Sequence, residues 1–395
     1  MTTTEDRLND ALHAAARSVT ATGLRPLGET SAPRPAPAGR SPRRWLAAVA
    51  AVAAIALIAG IVVAVSARLR TASESTGPGV PRYYAEITLS LKLVIRATAT
   101  GQVTAVVPAP GAGRGQFQDV TTSDDRTFFA DFATQRAPAR IYRFQVTPAG
   151  RVSHLTSVPG GNLGHNVVVT MAVSPSGSQL ALGLRRDIVR TRLAEQVVVL
   201  STRTGARTTW AGGAPPGQNP RAAWILQLSW TANGRELVYL GYWTCATSKR
   251  CVKGGLFSNY EAVRTLNPAG PGGTLTSGRQ LLHSDGYLAA AAISPDGSVV
   301  TAVRQRQQRG RPRQRMTVTQ FDARTGRQLD VLYSITTSSA DFMQSFVPGP
   351  AGRILIAVGS DWLGGPVAGT FNGWLADGRL HRLAPSGADV SSETW

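Results

Sequence analysis

Two patterns of hydrophobic positions divide the chain. The first is an unbroken apolar run, because no charged side chain lies between Arg44 and Arg68. Residues 45–67 are long enough, at about 1.5 Å per residue, to cross a hydrocarbon core of about 30 Å. The second is a short alternation of apolar and polar positions after residue 80, which is typical of β-strands. We therefore predict a membrane-spanning helix at 45–67 and an all-β region at 81–395.

The β region repeats a hairpin with recognisable turn chemistry. In the stretch AAISPDGSVVTAV, Pro295 presets φ, the Ser294 and Asp296 side chains cap the turn, and Gly297 takes the left-handed position. Related phrases occur four more times. Their aligned turn positions are spaced by 52, 57, 63 and 55 residues, at Asp125, Gly177, Gly234, Gly297 and Gly352. A period of this length indicates a repeat architecture.

A second kind of hairpin follows each first one, as in VTQFDARTGRQLDVL from Val318. Two hairpins make a four-stranded antiparallel sheet, and such sheets recurring about every 50 residues form a β-propeller. Six second hairpins predict six blades, with seven as the alternative. Because only RYYAEITL precedes the second hairpin of the first blade, we expect its missing strand to come from the C-terminal end and close the ring.

The phrases SPDG and ARTG resemble WD40-like and TolB-like propeller repeats, although the Gly-His and Trp-Asp pairs of true WD40 repeats are missing. The layout as a whole is similar to that of membrane-anchored propeller proteins of high-GC Gram-positive bacteria. This resemblance covers nearly the whole chain and implies a propeller fold. It brings no catalytic residues with it.

The flanks of the apolar run predict its orientation. Five basic residues precede it closely and three follow it, namely Arg25, Arg34, Arg40, Arg43 and Arg44 against Arg68, Arg70 and Arg82. This bias favours a cytoplasmic N-terminus and a retained signal anchor. We expect a cytoplasmic segment at 1–44 with a short helix and a Pro/Arg-rich linker, a spacer at 68–80, and an extracytoplasmic propeller in a single-pass cell-membrane protein.

The charge balance points to an anionic partner. The formal net charge is +19, and the basic residues are almost all arginine, which also reflects genomes of high GC content. An envelope protein or an anionic cell-wall or lipid component is the expected partner, and no specific nucleic acid is expected.

The loops that join the two hairpins of a blade carry the candidate binding residues. The densest run is RQRQQRGRPRQR, and arginines of this kind grip phosphate or carboxylate groups. The alternative is a solvated loop with no ligand. Trp243 and Trp362 are candidate stacking anchors or blade caps. The candidate basic residues are Arg304, Arg306, Arg309, Arg311, Arg313 and Arg315, together with Arg185 and Arg186.

The two cysteines, Cys245 and Cys251, are separated by five residues. Outside the membrane they are expected to form a loop-closing disulfide. The alternatives are a reactive pair or a metal site, but no histidine lies close by in sequence. We expect neither a metal site nor a cofactor.

No nucleophile elbow, zinc-protease motif, phosphate-binding loop or EF-hand loop occurs in the sequence. The leading interpretation is a membrane-anchored propeller that binds an envelope component, with a link to signalling through residues 1–44. The alternative is a propeller hydrolase or lactonase whose active site lies in the central channel. A third hypothesis is an envelope scaffold without a small-molecule ligand.

Overall fold

The computed structural model describes residues 81–395, except 89, 112–114, 125, 135–137, 187–194, 214–217, 246–258, 284–286, 308–312, 339–340, 349–353, 361–370, 377–378, 383–389 and 395. All of the described residues belong to one compact unit, Arg68–Trp395. Within these ranges, no helix is both long enough and apolar enough to cross a membrane. The predicted cytoplasmic segment, membrane helix and spacer lie outside them and stay predictions.

The described residues form strands arranged in four-stranded antiparallel sheets, so the all-β propeller is confirmed. The strands are β1 (Tyr83–Thr88), β2 (Leu93–Ala97), β3 (Val103–Val106), β4 (Gly115–Thr122), β5 (Thr127–Thr134), β6 (Arg140–Val146), β7 (Val152–Asn162), β8 (Asn166–Val173), β9 (Gln179–Arg186), β10 (Gln196–Ser201), β11 (Arg207–Ala211), β12 (Gln218–Trp230), β13 (Leu237–Cys245), β14 (Asn259–Leu266), β15 (Gln280–His283), β16 (Tyr287–Ile293), β17 (Val299–Gln307), β18 (Arg313–Asp322), β19 (Gln328–Ser338), β20 (Asp341–Pro348), β21 (Ile354–Ser360), β22 (Phe371–Ala376), β23 (Arg379–Arg382) and β24 (Val390–Thr394).

Five sheets are blades of continuous chain, each built from four consecutive strands: β4–β7, β8–β11, β12–β15, β16–β19 and β20–β23. The remaining sheet is a composite in the order β24-β1-β2-β3. We number the composite sheet blade 1 and the others blades 2 to 6 in chain order. No further four-stranded sheet occurs among the described residues, so the seven-bladed alternative is wrong for this part of the chain.

The innermost strands β4, β8, β12, β16, β20 and β24 contact one another in that order, and β24 contacts β4. The ring is therefore closed. Its closure depends on the antiparallel pairing of β24 with β1, in which Ala85 faces Thr394 and Ile87 faces Ser392. This confirms the prediction that the C-terminal end completes the first sheet.

The repeated turn behaves as its chemistry predicts. Asp296 Oδ1 accepts hydrogen bonds from the Ser294 hydroxyl at 2.5 Å and from the Ser298 N–H at 3.1 Å. These bonds to the charged form lower the pKa of Asp296 to about 2. Gly297 has a φ of 77°, in the left-handed region that glycine adopts without strain. Asp296 is therefore a turn-former and carries no sign of a catalytic role.

Each of the inner strands β4, β8, β12, β16 and β20 carries a register shift where it pairs with the next strand of its blade. Such bulges leave backbone N–H groups without their ladder partners. In the β12 bulge, Gln227 uses its own side chain to reach two other inner strands. Its Oε1 accepts the Ala291 N–H at 3.0 Å, and its Nε2 donates to the Phe346 carbonyl oxygen. The inner strands of blades 4, 5 and 6 are thus linked by one amide.

Candidate functional site

Four arginines share one face of blade 5. Arg304 and Arg306 lie two residues apart on β17, and Arg313 and Arg315 lie two residues apart on β18. Arg306 is the direct cross-strand partner of Arg315, and the β17–β18 register runs without a shift. Because side chains alternate between the two faces of a strand, all four arginines project from the same face.

Hydroxyl groups of the neighbouring strand complete this face. Thr336 of β19 is the cross-strand partner of Arg315, and Ser334 accepts a hydrogen bond from Arg315 Nε at 2.9 Å. Both side chains are exposed, as are Arg306, Arg313 and Arg315. We call these six residues the arginine face: Arg304, Arg306, Arg313, Arg315, Ser334 and Thr336.

Packing holds the arginine face in place. On the same face of the sheet, Val300, Ala302 and Phe321 belong to the core that joins blade 5 to blade 4. The Arg304 guanidinium carbon lies 4.9 Å from the centre of the Phe321 ring, within the range of a cation–π contact. The arginine face therefore continues directly from a buried surface and is fixed to it through Arg304.

The arginine run was expected to form a loop, and that expectation is wrong for its described residues. Arg304, Arg306, Arg313 and Arg315 lie on paired strands, whereas Arg309 and Arg311 lie outside the described residues. The run forms strands because arginine alternates with glutamine along it. Gln305 and Gln314 point to the opposite face and are more than nine-tenths buried. The period of two in RQRQ and RQR was the sequence signal for these strands.

Three arginines of this face lack an acidic partner among the described residues. Like charges directly opposite each other on antiparallel strands repel. Arg306, Arg313 and Arg315 make no ion pair within the described part of the chain, where the recorded pairs are Arg96 with Glu86 and Arg185 with Glu195. The arginine face is consequently a concentrated source of positive potential on an ordered surface.

A second group of polar residues lies where blades 3, 4 and 5 meet. Tyr242 of β13 is the cross-strand partner of both Trp224 and Glu261, and its ring centre lies 4.2 Å from that of Trp224. Glu195, just before β10, and Tyr287, at the start of β16, are close enough to Tyr242 to act on its ionisation. We call Glu195, Tyr242, Glu261 and Tyr287 the acid–tyrosine cluster.

The two carboxyl groups of the cluster are held by the bulges of the inner strands. Glu195 accepts a hydrogen bond from the Ile225 N–H of the next blade, and Glu261 accepts one from the Leu288 N–H of the blade after that. Ile225 and Leu288 both stand at the register shifts of their strands. Each glutamate therefore uses an N–H group at the bulge to join two blades.

Burial dominates the ionisation of the cluster. It raises the pKa of Glu195 to about 7, against the lowering effects of the Ile225 N–H and of Arg185, whose Nη1 lies 4.0 Å from Glu195 Oε1. It also raises the pKa of Glu261 to about 7, against the Leu288 N–H. The pKa of Tyr242 is raised by burial and then by the charges of Tyr287, Glu195 and Glu261. Both glutamates therefore change their charge near neutral pH.

The other predicted site residues are distributed as follows. Arg185 is exposed and lies beside Glu195, which sequence reasoning did not select. Trp243 lies on β13 with its side chain in the core and its Nε1 donating to the Gly213 carbonyl at 3.1 Å. Trp243 is therefore a core residue on a strand and not a loop residue. Arg186 and Cys245 end strands, but their side chains are not among the described ones, and Trp362 and Cys251 lie outside the described residues. The disulfide stays a prediction.

Within the part of the chain that the structure describes, no three His, Cys, Asp or Glu side chains come together as a metal-binding group. The channel-side positions of β12, β16 and β20 are joined by Gln227, as described above. The carboxyl groups of Asp131, Glu195 and Glu261, whose pKa values are strongly raised, lie instead near the bulges and the junctions between blades.

Solved structures include several that are distantly similar to this chain. No protein-family model and no curated protein matches the chain. A protein of unknown function from Bacteroides caccae is 13% identical over 80% of this chain and 98% of its own, with a TM-score of 0.45. The periplasmic gluconolactonase of Pseudomonas aeruginosa is 14% identical over 76% of this chain and 99% of its own, with a TM-score of 0.41. Dipeptidyl peptidase 4 of Porphyromonas gingivalis is 12% identical over 80% of this chain, which spans 47% of that enzyme, with a TM-score of 0.35.

Proposed function

We propose that this protein is a membrane-anchored propeller that binds an anionic polymer of the cell envelope through the arginine face. The observation that carries the proposal is the cross-strand pairing of Arg306 with Arg315 on an exposed sheet face. Repulsion between paired guanidinium groups is relieved when an anion lies between them. The apolar run at 45–67 and the excess of arginine on its N-terminal side support placement of the propeller outside the membrane.

The shape of the arginine face favours a linear ligand with several charges. Residues two apart on a strand are separated by about 6.8 Å. Arg304, the Arg306–Arg315 pair and Arg313 therefore form three successive levels of charge along the strand direction. Guanidinium groups bind phosphate and carboxylate oxygens in bidentate fashion, and the exposed hydroxyls of Ser334 and Thr336 add hydrogen bonds. A polymer with phosphate or carboxylate groups at regular intervals can contact the arginines of all three levels at once.

The test uses the full-length protein in detergent micelles and immobilised poly(glycerol phosphate), with neutral dextran as the blank. We expect the double variant Arg306→Gln with Arg315→Gln to bind at least about tenfold more weakly. The matched control removes two exposed turn arginines, Arg151→Gln with Arg235→Gln, and has the same net charge. Equal binding by the wild type and the arginine-face variant, or equal loss in the control, contradicts the proposal.

A second candidate function is hydrolysis of an ester or lactone at the acid–tyrosine cluster. The observation in its favour is that two carboxyl groups with a pKa of about 7 both act on Tyr242. In such a reaction one glutamate accepts a proton from the attacking water, and the other returns a proton to the departing alkoxide. The sequence alone placed this alternative active site in the central channel, where Gln227 joins three inner strands. We now propose the junction of the blades as its location.

Hydrolysis of δ-gluconolactone by the full-length protein tests the second candidate. We expect Glu195→Gln and Glu261→Gln each to abolish the enzymatic rate while the protein keeps its folded spectrum. Glu236→Gln, in a turn of the same blade as Glu261, is the control. A wild-type rate no higher than that of the buffer rules out this activity for the lactone.

A further inference from the structure

The bulge of β4 lies against a buried carboxyl group, that of Asp131. Gln118 and Asp119 lie opposite the single residue Asp131 of β5, where the register shifts between Phe117 and Val120. Asp131 Oδ1 accepts the N–H groups of Gln118 at 3.2 Å and Asp119 at 2.6 Å. One oxygen of the carboxyl group is therefore fully engaged in holding the bulge.

The second oxygen of the same carboxyl group has no hydrogen-bond partner among the residues that the structure describes. Asp131 is completely buried, and its Oδ2 is unsatisfied. The side-chain Oε1 of Gln118 is also buried and unsatisfied. A buried acceptor without a donor destabilises the folded state. Two such acceptors in one bulge indicate that a group outside the chain satisfies them.

The charges around Asp131 differ from those around Glu86 and Glu195, two other buried acids. Glu86 is paired with Arg96 at 2.7 Å, and Glu195 has Arg185 nearby. Asp131 has a second carboxylate, Asp119, as its electrostatic neighbour instead. The like charges of Asp119 and Asp131 repel each other. A bound cation attracts both carboxylates and relieves this repulsion.

We propose that this bulge binds a hard divalent cation of the Ca²⁺ or Mg²⁺ type through Asp131 Oδ2, the Asp119 carboxylate and Gln118 Oε1. Carboxylate and amide oxygens are the ligands that these ions take, and water completes their coordination. Asp119 is only half-buried, so the ion reaches the bulge from the Asp119 side. This site is independent of the arginine face.

The position of the bulge suggests what the ion does for the fold. β4 is the inner strand of blade 2, and it contacts β24, the strand that closes the ring. Neutralising two adjacent carboxylates beside this contact stabilises the strand at the closure point. The cation therefore strengthens the join between blades 1 and 2.

The test is titration calorimetry of full-length protein in detergent, treated with chelator and then titrated with CaCl₂ or MgCl₂. We expect saturable binding of the ion by the wild type and an affinity more than about 100-fold lower for Asp131→Asn. This loss exceeds the one seen when a group that only supports a metal ligand is removed. Asparagine keeps an oxygen for the two bulge N–H groups. The control is Asp124→Asn, in the exposed turn of the same blade, where Oδ1 accepts the Arg126 N–H at 2.8 Å. It should bind like the wild type.

A second variant distinguishes a cation site from a bulge whose buried oxygen atoms have only a structural role. Gln118→Glu adds a third carboxylate, so the thermal unfolding midpoint of this variant should fall in chelator and recover in excess Ca²⁺. Its affinity for Ca²⁺ should exceed that of the wild type. The absence of binding of both ions to the wild type overturns the proposal. Equal weakening in Asp131→Asn and Asp124→Asn, or a Gln118→Glu variant that Ca²⁺ does not rescue, also overturns it.

Discussion

Gln227 donates a hydrogen bond from its side-chain Nε2 to the backbone oxygen of Phe346, 119 residues away. The two residues lie on inner strands that are not neighbours in the ring, since β16 stands between them. Together with the bond from the Ala291 N–H, this contact lets one amide side chain satisfy backbone groups on two strands. The centre of the propeller is thus held by a specific polar contact between blades 4, 5 and 6.

Replacing Gln227 with leucine should lower the free energy of unfolding by about 2–4 kcal/mol. The reason is that the Ala291 N–H and the Phe346 carbonyl oxygen both lose their partner. Chemical denaturation measures the change. Gln145→Leu, on an exposed position of β6, should stay within about 0.5 kcal/mol of the wild type. Similar losses in both variants would show that the Gln227 contacts add nothing.

The acid–tyrosine cluster should make stability depend on pH in an unusual direction. The folded pKa values of Glu195 and Glu261, about 7, lie above the ordinary value of 4.5. Between these values the folded state binds more protons than the unfolded state. This contribution to stability is therefore complete below about pH 4.5 and is lost as the pH rises through about 7.

The double variant Glu195→Gln with Glu261→Gln should remove that dependence, because glutamine does not titrate and still offers an oxygen to Ile225 and Leu288. Urea unfolding at several pH values between about 5 and 8 gives the measurement. If the variant loses stability with rising pH as steeply as the wild type, other groups cause the effect.

Removing the repulsion on the arginine face should stabilise the protein slightly. Arg306→Gln with Arg315→Gln is expected to raise the free energy of unfolding by about 0.2–1 kcal/mol at low salt. The gain should shrink at high salt, because screening weakens the repulsion in the wild type. A loss of stability in this variant would mean that the pair serves the fold, which would weaken its assignment as a ligand site.

Trp243→Ala should cost about 3–5 kcal/mol, the range for truncating a large buried aromatic residue. Trp243 is fully buried and donates to Gly213, whereas Trp224 is only half-buried. Trp224→Ala should therefore cost clearly less. Thermal unfolding of the two variants compares them directly. A mild effect of Trp243→Ala would return this residue to the list of ligand-binding candidates.

The sequence predicted the propeller and its turns because these depend on local chemistry. Ser294, Asp296 and Gly297 form a turn from neighbouring residues, and the repeat multiplies that signal along the chain. The late start of the first blade was also enough to predict the pairing of β24 with β1.

The acid–tyrosine cluster and the β4 bulge could not be predicted in the same way. Glu195 and Glu261 lie in different blades, and each is an isolated acidic residue in its own stretch of sequence. Their significance comes from burial and from bulges in the following blades, which are tertiary properties. The error at the arginine run was of another kind. Its alternation with Gln305 and Gln314 is visible in the sequence, but the density of charge favoured a loop.

The composite sheet also sets an order of events for the growing chain. β1 can pair with β24 only after all five continuous blades have been made. Until then β1 has a free edge that any extended segment, from this chain or another copy, can join. The interval between the synthesis of β1 and that of β24 is therefore the period in which misassembly competes with closure.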